Sequence, residues 1–244
     1  MSYPSYSSAS FAVATFLMLA GCAAPMTNTS STPATPATNS APLLPSALFT
    51  GGAERFTGWY CQPAEQHLVS AVADNEELRL WSLHGAWHLP PAVVASGARY
   101  QQGEISFWNR GEQAQVETPR GQLQCQQTQT RSALTRNDYP GVMFHGQGNE
   151  PGWTVDLAHD RPELSVSLDY GEREFTRDYR IVALDNDSGR VVLESTRPDQ
   201  SFTLRLEAGA CFDGMSGKPY PARVTLTVDG TQYSGCGQGI APGA

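Results

Sequence analysis

The feature that most constrains this chain is a succession of short runs in which apolar and polar residues alternate. They include Leu78-Arg79-Leu80-Trp81, Glu104-Ile105-Ser106-Phe107, Gln113-Ala114-Gln115-Val116, Trp153-Thr154-Val155-Asp156-Leu157, Leu164-Ser165-Val166-Ser167-Leu168 and Val224-Thr225-Leu226-Thr227-Val228. A period of two sends successive side chains to opposite faces, which suits a strand with one buried face and one wet face. Turn residues separate the runs, among them Asp187-Ser188-Gly189 and Asp229-Gly230. No segment carries a long amphipathic helical period. The pattern predicts an all-β chain built as small antiparallel barrels or sandwiches.

The front of the chain reads differently. Phe11 to Ala20 is an apolar run of about ten residues, too short to span a bilayer and suited to the core of a signal peptide. It ends in Leu19-Ala20-Gly21-Cys22, which resembles the lipobox of bacterial lipoproteins, so residues 1–21 are expected to be removed and Cys22 to carry lipid. No Lys or Arg precedes Cys22, a departure from the usual signal pattern. Ala23 and Ala24 follow it, which by resemblance to lipoprotein sorting favours the outer membrane, with the folded part facing the periplasm. The stretch from Thr27 to Pro45 is uncharged and rich in Ser, Thr, Pro and Ala; it cannot bury enough apolar surface to fold and reads as a tether. Residues 22–53 are assigned to this lipidated anchor, with a reach on the order of 30 Å.

Four cysteines remain after Cys22, as Cys61 and Cys125, then Cys211 and Cys236. Three pairings are possible. In an oxidising compartment the pairing that follows domain order is expected, Cys61 with Cys125 and Cys211 with Cys236, the second bridge fastening the last hairpin. No C-x-x-C spacing suggests zinc. The formal charge is −8, and both folded halves share it: 54–127 holds eight acidic and five basic residues, 128–244 sixteen and eleven. An acidic protein is poorly suited to nucleic acid; the charge suits either a cationic partner or simply solubility.

Between the first two cysteines lie two motifs, Ser96-Gly97-Ala98-Arg99-Tyr100 and Phe107-Trp108-Asn109-Arg110-Gly111-Glu112-Gln113-Ala114. Together they resemble the c-type lysozyme inhibitors of Gram-negative bacteria, the MliC/PliC family, in which S-G-x-x-Y is followed by (F/Y)-W-x-K-G-x-x-A. The resemblance covers about residues 54–128 and implies an eight-stranded antiparallel barrel there. It also implies a partner, c-type lysozyme, and contact residues: Ser96, Gly97, Tyr100, Arg110 and Gly111. A lysozyme cleft holds one protonated and one ionised carboxyl group. A hydroxyl from Ser96 and a cation from Arg110 could answer them, with both glycines shaping the loops. The family usually has Lys where this chain has Arg110; Arg stays cationic but is planar and bulkier. Trp108 and Tyr100 read as barrel core or rim, and Arg99 as a solvated strand residue.

The polar segment Gln126 to Asn137 reads as the boundary to a second β-rich domain, 138–244. Its Gly148-Asn149-Glu150-Pro151-Gly152-Trp153 opening and its Cys211-Phe212-Asp213-Gly214-Met215-Ser216-Gly217 and Gly235-Cys236-Gly237 segments resemble an uncharacterised family of bacterial envelope lipoproteins. That resemblance adds no activity. Other constellations are weak. His84 and His88 lack an acidic third ligand, Asp185-x-Asp187-x-Gly189 suits a hairpin turn, and Ser216-Gly217-Lys218 is one residue short of S-x-x-K. The sequence therefore reads as a non-enzymatic lipoprotein with no cofactor and no metal, which inhibits c-type lysozyme through Ser96 and Arg110. The alternative is an envelope scaffold that keeps the barrel without inhibiting.

Overall fold

The computed structural model describes residues 40–240. The signal segment, Cys22 and the first part of the tether lie outside the described residues. The described chain is all-β, with seventeen strands and three short 3-10 turns. Its strands form two antiparallel sheets.

The first sheet contains β1 (Arg55–Gln62), β2 (Gln66–Val72), β3 (Leu78–Ser82), β4 (Gly85–Leu89), β5 (Pro91–Ala92), β6 (Ala98–Gln102), β7 (Ile105–Arg110), β8 (Gln113–Thr118) and β9 (Gly121–Ser132). Their order is β4-β3-β2-β1-β9-β8-β7-β6-β5. Two meanders thus run outward from a central β1–β9 pair, which the Cys61–Cys125 disulfide crosses at directly opposed positions. Where the resemblance implies an eight-stranded barrel, the structure has a nine-stranded rolled sheet whose edges share no ladder. The chain itself joins those edges, because β4 runs into β5 through Pro90 and Pro91, and prolines have no N–H to give to a ladder. Trp59, Leu68, Leu80, Phe107 and Val116 fill the inside of the roll.

The second sheet is a closed barrel of eight strands in sequence order: β10 (Val142–Asn149), β11 (Gly152–Ala158), β12 (Glu163–Leu168), β13 (Arg173–Asp185), β14 (Arg190–Ser195), β15 (Phe202–Phe212), β16 (Pro219–Val228) and β17 (Thr231–Gly239). Burial alternates cleanly along β11 and β12, as expected of strands with one wet face. Val155, Leu157, Leu164, Val166, Leu193, Leu204 and Leu226 pack the interior. Cys211 and Cys236 are joined. Their bridge ties β15 to β17 across β16, not the two strands of the last hairpin as the sequence suggests.

Among the described residues the two sheets pack as one compact unit. The reason is visible in β2 and β3, which are buried on both faces. Leu68 and Leu80 point into the roll, while Val69, Ala71 and Trp81 join the core of the closed barrel. Residues 44–53, counted with the tether from their composition, are built into this junction. A 3-10 turn at Ser46–Leu48 places Leu48 wholly out of solvent, and Trp81 Nε1 donates to the carbonyl of Ala47 at 2.8 Å. Phe49 bridges to Gly239 of β17. The polar boundary segment also differs from expectation. β9 runs on to Ser132, with Thr130 and Ser132 paired to Thr57 and Arg55 of β1, so the connection between sheets is 133–141.

Candidate functional site

The two motifs meet at one end of the rolled sheet. The ladder pairs Ala98 of β6 with Asn109 of β7, so Ser96 and Gly97, just before β6, lie beside Asn109 and Arg110 at the end of β7. Arg110 pairs with Gln113 across a two-residue turn. Gly111, the first residue of that turn, has φ +75°, while Glu112 is not among the positive-φ residues. A positive φ at the first central position is the mark of a type II′ turn, which matches the twist of the flanking strands. Nothing lies within 4 Å of where a Cβ of Gly111 would be, so the turn projects freely. Gly97 is different. Its φ is +71°, and a Cβ there would sit 2.3 Å from the carbonyl oxygen of Asn109. A side chain would push the Ser96 loop off β7.

Trp108 links the pair. Its Nε1 donates to the backbone carbonyl of Ser96 at 3.0 Å. The guanidinium carbon of Arg110 stands 3.4 Å from the centroid of the same indole. The ring thus holds the Ser96 loop with its edge and the Arg110 cation with its face, a contact worth about 0.5–1 kcal/mol at an exposed site. Among the described residues no carboxylate forms an ion pair with Arg110. Its positive charge is oriented and unspent. Ser96, Gly97, Arg110 and Gly111 are all exposed. Val93, in the same loop, is an aliphatic side chain fully in water.

Tyr100 is placed elsewhere. It pairs with Phe107 and packs on the inner cluster, so it faces the inside of the roll while Trp108 faces out. Burial, with a further contribution from Glu76, pushes its phenol above the ordinary range. The structure therefore brings Ser96, Gly97, Arg110 and Gly111 together with Trp108, and sets Tyr100 behind them. The sequence reads Trp108 as core or rim, but its parity gives its face: Trp108 and Arg110 are two apart, out of phase with Phe107. Arg99, read as solvated, is half-buried; it pairs with Glu117 at 2.9 Å, and Ser106 donates to the same carboxylate oxygen.

The remaining constellations are structural. The His88 imidazole sits against the Arg79 guanidinium, Nδ1 to Nη1 at 2.9 Å. Burial and that positive neighbour hold its pKa below the usual imidazole value. Asp213 accepts from the backbone N–H and hydroxyl of Ser216 and from the amide of Asn149. Asp185 accepts from the backbone N–H of Ser188 within its hairpin turn. Among the described residues no three His, Cys, Asp or Glu side chains converge as metal ligands would.

Compared with known proteins, residues 59–124 match the family described as membrane-bound lysozyme-inhibitor of c-type lysozyme. The match spans nearly all of the rolled sheet, including both motifs, and bears out the resemblance seen in the sequence. It covers a little over a quarter of the chain and leaves the closed barrel unmatched. No curated protein matches the chain.

Proposed function

We propose that this protein is a stoichiometric inhibitor of c-type lysozyme rather than an enzyme, and that it acts by offering Ser96 and Arg110 to the catalytic cleft. The observation that carries the reading is the Trp108-mounted pair: an unpaired guanidinium and a hydroxyl-bearing loop held side by side at an exposed end of the sheet. A retaining glycosidase keeps its two carboxyl groups about 5–5.5 Å apart. Neighbouring strands lie about 4.8 Å apart, which is of the same order as that separation. The ionised carboxylate would take the guanidinium, and the protonated one would exchange a hydrogen bond with the hydroxyl. The net charge of −8 favours encounter with a basic enzyme.

Localisation belongs to the same proposal. Cys22 would carry the lipid, and the sequence around it supports an outer-membrane lipoprotein facing the periplasm. Replacement by Cys22→Ser should abolish incorporation of labelled palmitate and release the protein from membranes.

The inhibitory mechanism is tested by following lysis of a bacterial suspension by a c-type lysozyme, titrated with residues 38–244. The expected result is stoichiometric inhibition that weakens with salt. Arg110→Ala should weaken it about thirtyfold or more, since truncating one side of a buried charge pair costs about 2–5 kcal/mol; Arg110→Lys should restore most of it. Inhibition indifferent to both Ser96→Ala and Arg110→Ala would overturn this mechanism.

A further inference from the structure

The two sheets differ in how they are filled. The closed barrel carries the larger buried core, and Leu48 packs into it. The rolled sheet is hollow at one end. A cavity of about 700 Å³ opens there, at the turns β1–β2, β3–β4 and β8–β9. Its floor is Leu68, Leu80 and Val116, all buried, and Trp87, Ile105 and Leu123 stand half-exposed at its mouth. Trp87 comes from edge strand β4 and Ile105 from the start of β7. Cavities that take small ligands measure about 300–1,000 Å³ and are mainly apolar, with a few polar groups that fix orientation.

Charge decides what kind of ligand this is. In a chain of net charge −8, the cavity lining contains no carboxylate. It contains one formal cation, Arg120, together with the imidazole of His84. Arg120 forms no ion pair among the described residues. Glu117, the nearest acid in sequence, is engaged by Arg99. From the apolar walls, the open mouth and the single unpaired guanidinium we infer that this cavity binds an amphiphile with one hydrocarbon chain and a carboxylate head, of the medium- to long-chain fatty-acid class. The tail enters among Leu68, Leu80 and Val116, and the head meets Arg120 at the rim. The site is separate from the Ser96–Arg110 end, since the β7–β8 and β8–β9 turns lie at opposite ends of β8, about 17 Å apart at 3.4 Å per residue.

The test is titration of residues 38–244 with dodecanoate, dodecanol and butyrate, each below its aggregation threshold, read by calorimetry and by displacement of a fluorescent fatty-acid probe. Saturable one-site binding of dodecanoate is expected, with dodecanol about tenfold weaker and butyrate not binding. Arg120→Glu, an exposed change, should weaken dodecanoate about tenfold and leave dodecanol unchanged. A brominated fatty acid should quench tryptophan emission in the parent protein and much less in Trp87→Phe, which keeps an aromatic wall. Lysozyme inhibition by Arg120→Glu should equal that of the parent, so this proposal and the inhibitor reading fail separately. Absence of saturable binding by dodecanoate would overturn the site. Binding to which Arg120→Glu is indifferent would overturn the carboxylate assignment, and quenching undiminished in Trp87→Phe would place the ligand elsewhere.

Discussion

Gly97 shows what one missing side chain does for the motif. The Ser96 loop can lie against β7 because nothing occupies the space beside the Asn109 carbonyl, and the backbone there is left-handed. Gly97→Ala should therefore cost about 1–2 kcal/mol in thermal unfolding, from the positive φ and the close approach together. It should weaken lysozyme inhibition more than that stability loss explains, because the loop that carries Ser96 must move. Trp108 allows a finer separation. Trp108→Phe keeps a ring face under Arg110 and loses the bond to the Ser96 carbonyl; Trp108→Ala loses both. Inhibition should fall in that order, and equal effects of the two changes would show that the stacked cation contributes nothing. The motif residues were legible in the sequence because their spacing carried the resemblance. The task of Trp108 was not, because an aromatic residue next to Phe107 looks like core until its phase on the strand is counted.

Among elements, the alternating runs gave every named strand correctly, since period-two patterning is local and survives without tertiary context. What the sequence hid was burial that a partner sheet sets. β2 and β3 are buried on both faces, and the polar end of β9 reads as a linker although it pairs with β1. Arg131, near the end of β9, shows why that extension matters. It is buried and stacked between Phe56 and Tyr220 at 4.6 and 3.8 Å, with donors to the Pro219 carbonyl and the Gln238 side chain at 2.9 Å each. Burial lowers its pKa to about 10, which leaves it charged at neutral pH. Arg131→Met should destabilise the protein by about 2–4 kcal/mol, measured by denaturant unfolding, because charge-assisted bonds are lost and Gln238 loses a partner. The β3–β4 pair adds a pH signature. The folded-state pKa of His88 lies below the unfolded one, so His88 contributes its full stability above the unfolded value, near 6.5, and that contribution is lost as pH falls through the window below it. His88→Gln should flatten part of the stability loss between pH 7 and 5.

At the scale of the whole molecule, the reading of two folded parts was legible from the cysteine pairs and from the polar segment between them. Their fusion into one body was not, because the residues that cement it come from a stretch whose composition looks disordered. Pro45 to Ala53 is short, uncharged and rich in small residues, yet Leu48 is fully buried and Ala47 accepts the indole N–H of Trp81. Composition describes a segment's ability to fold alone, whereas this one is ordered by surfaces that two sheets create around it. The consequence is measurable. A chain beginning at Glu54 loses a buried leucine, worth about 1.5–3 kcal/mol, and leaves the Trp81 N–H without its acceptor, at about 1–3 kcal/mol. Together these approach the whole stability of a marginal domain, about 5–15 kcal/mol. Residues 38–244 should melt in a single calorimetric transition, since Trp81, Phe56 and Arg131 belong to both sheets' packing. Residues 54–244 should melt about 10–20 °C lower, at roughly 2–4 °C per kcal/mol for a chain of this size. Two separate transitions in 38–244 would mean that the sheets are independent domains in contact. A 54–244 fragment as stable as the longer chain would mean that Leu48 only covers a surface already closed.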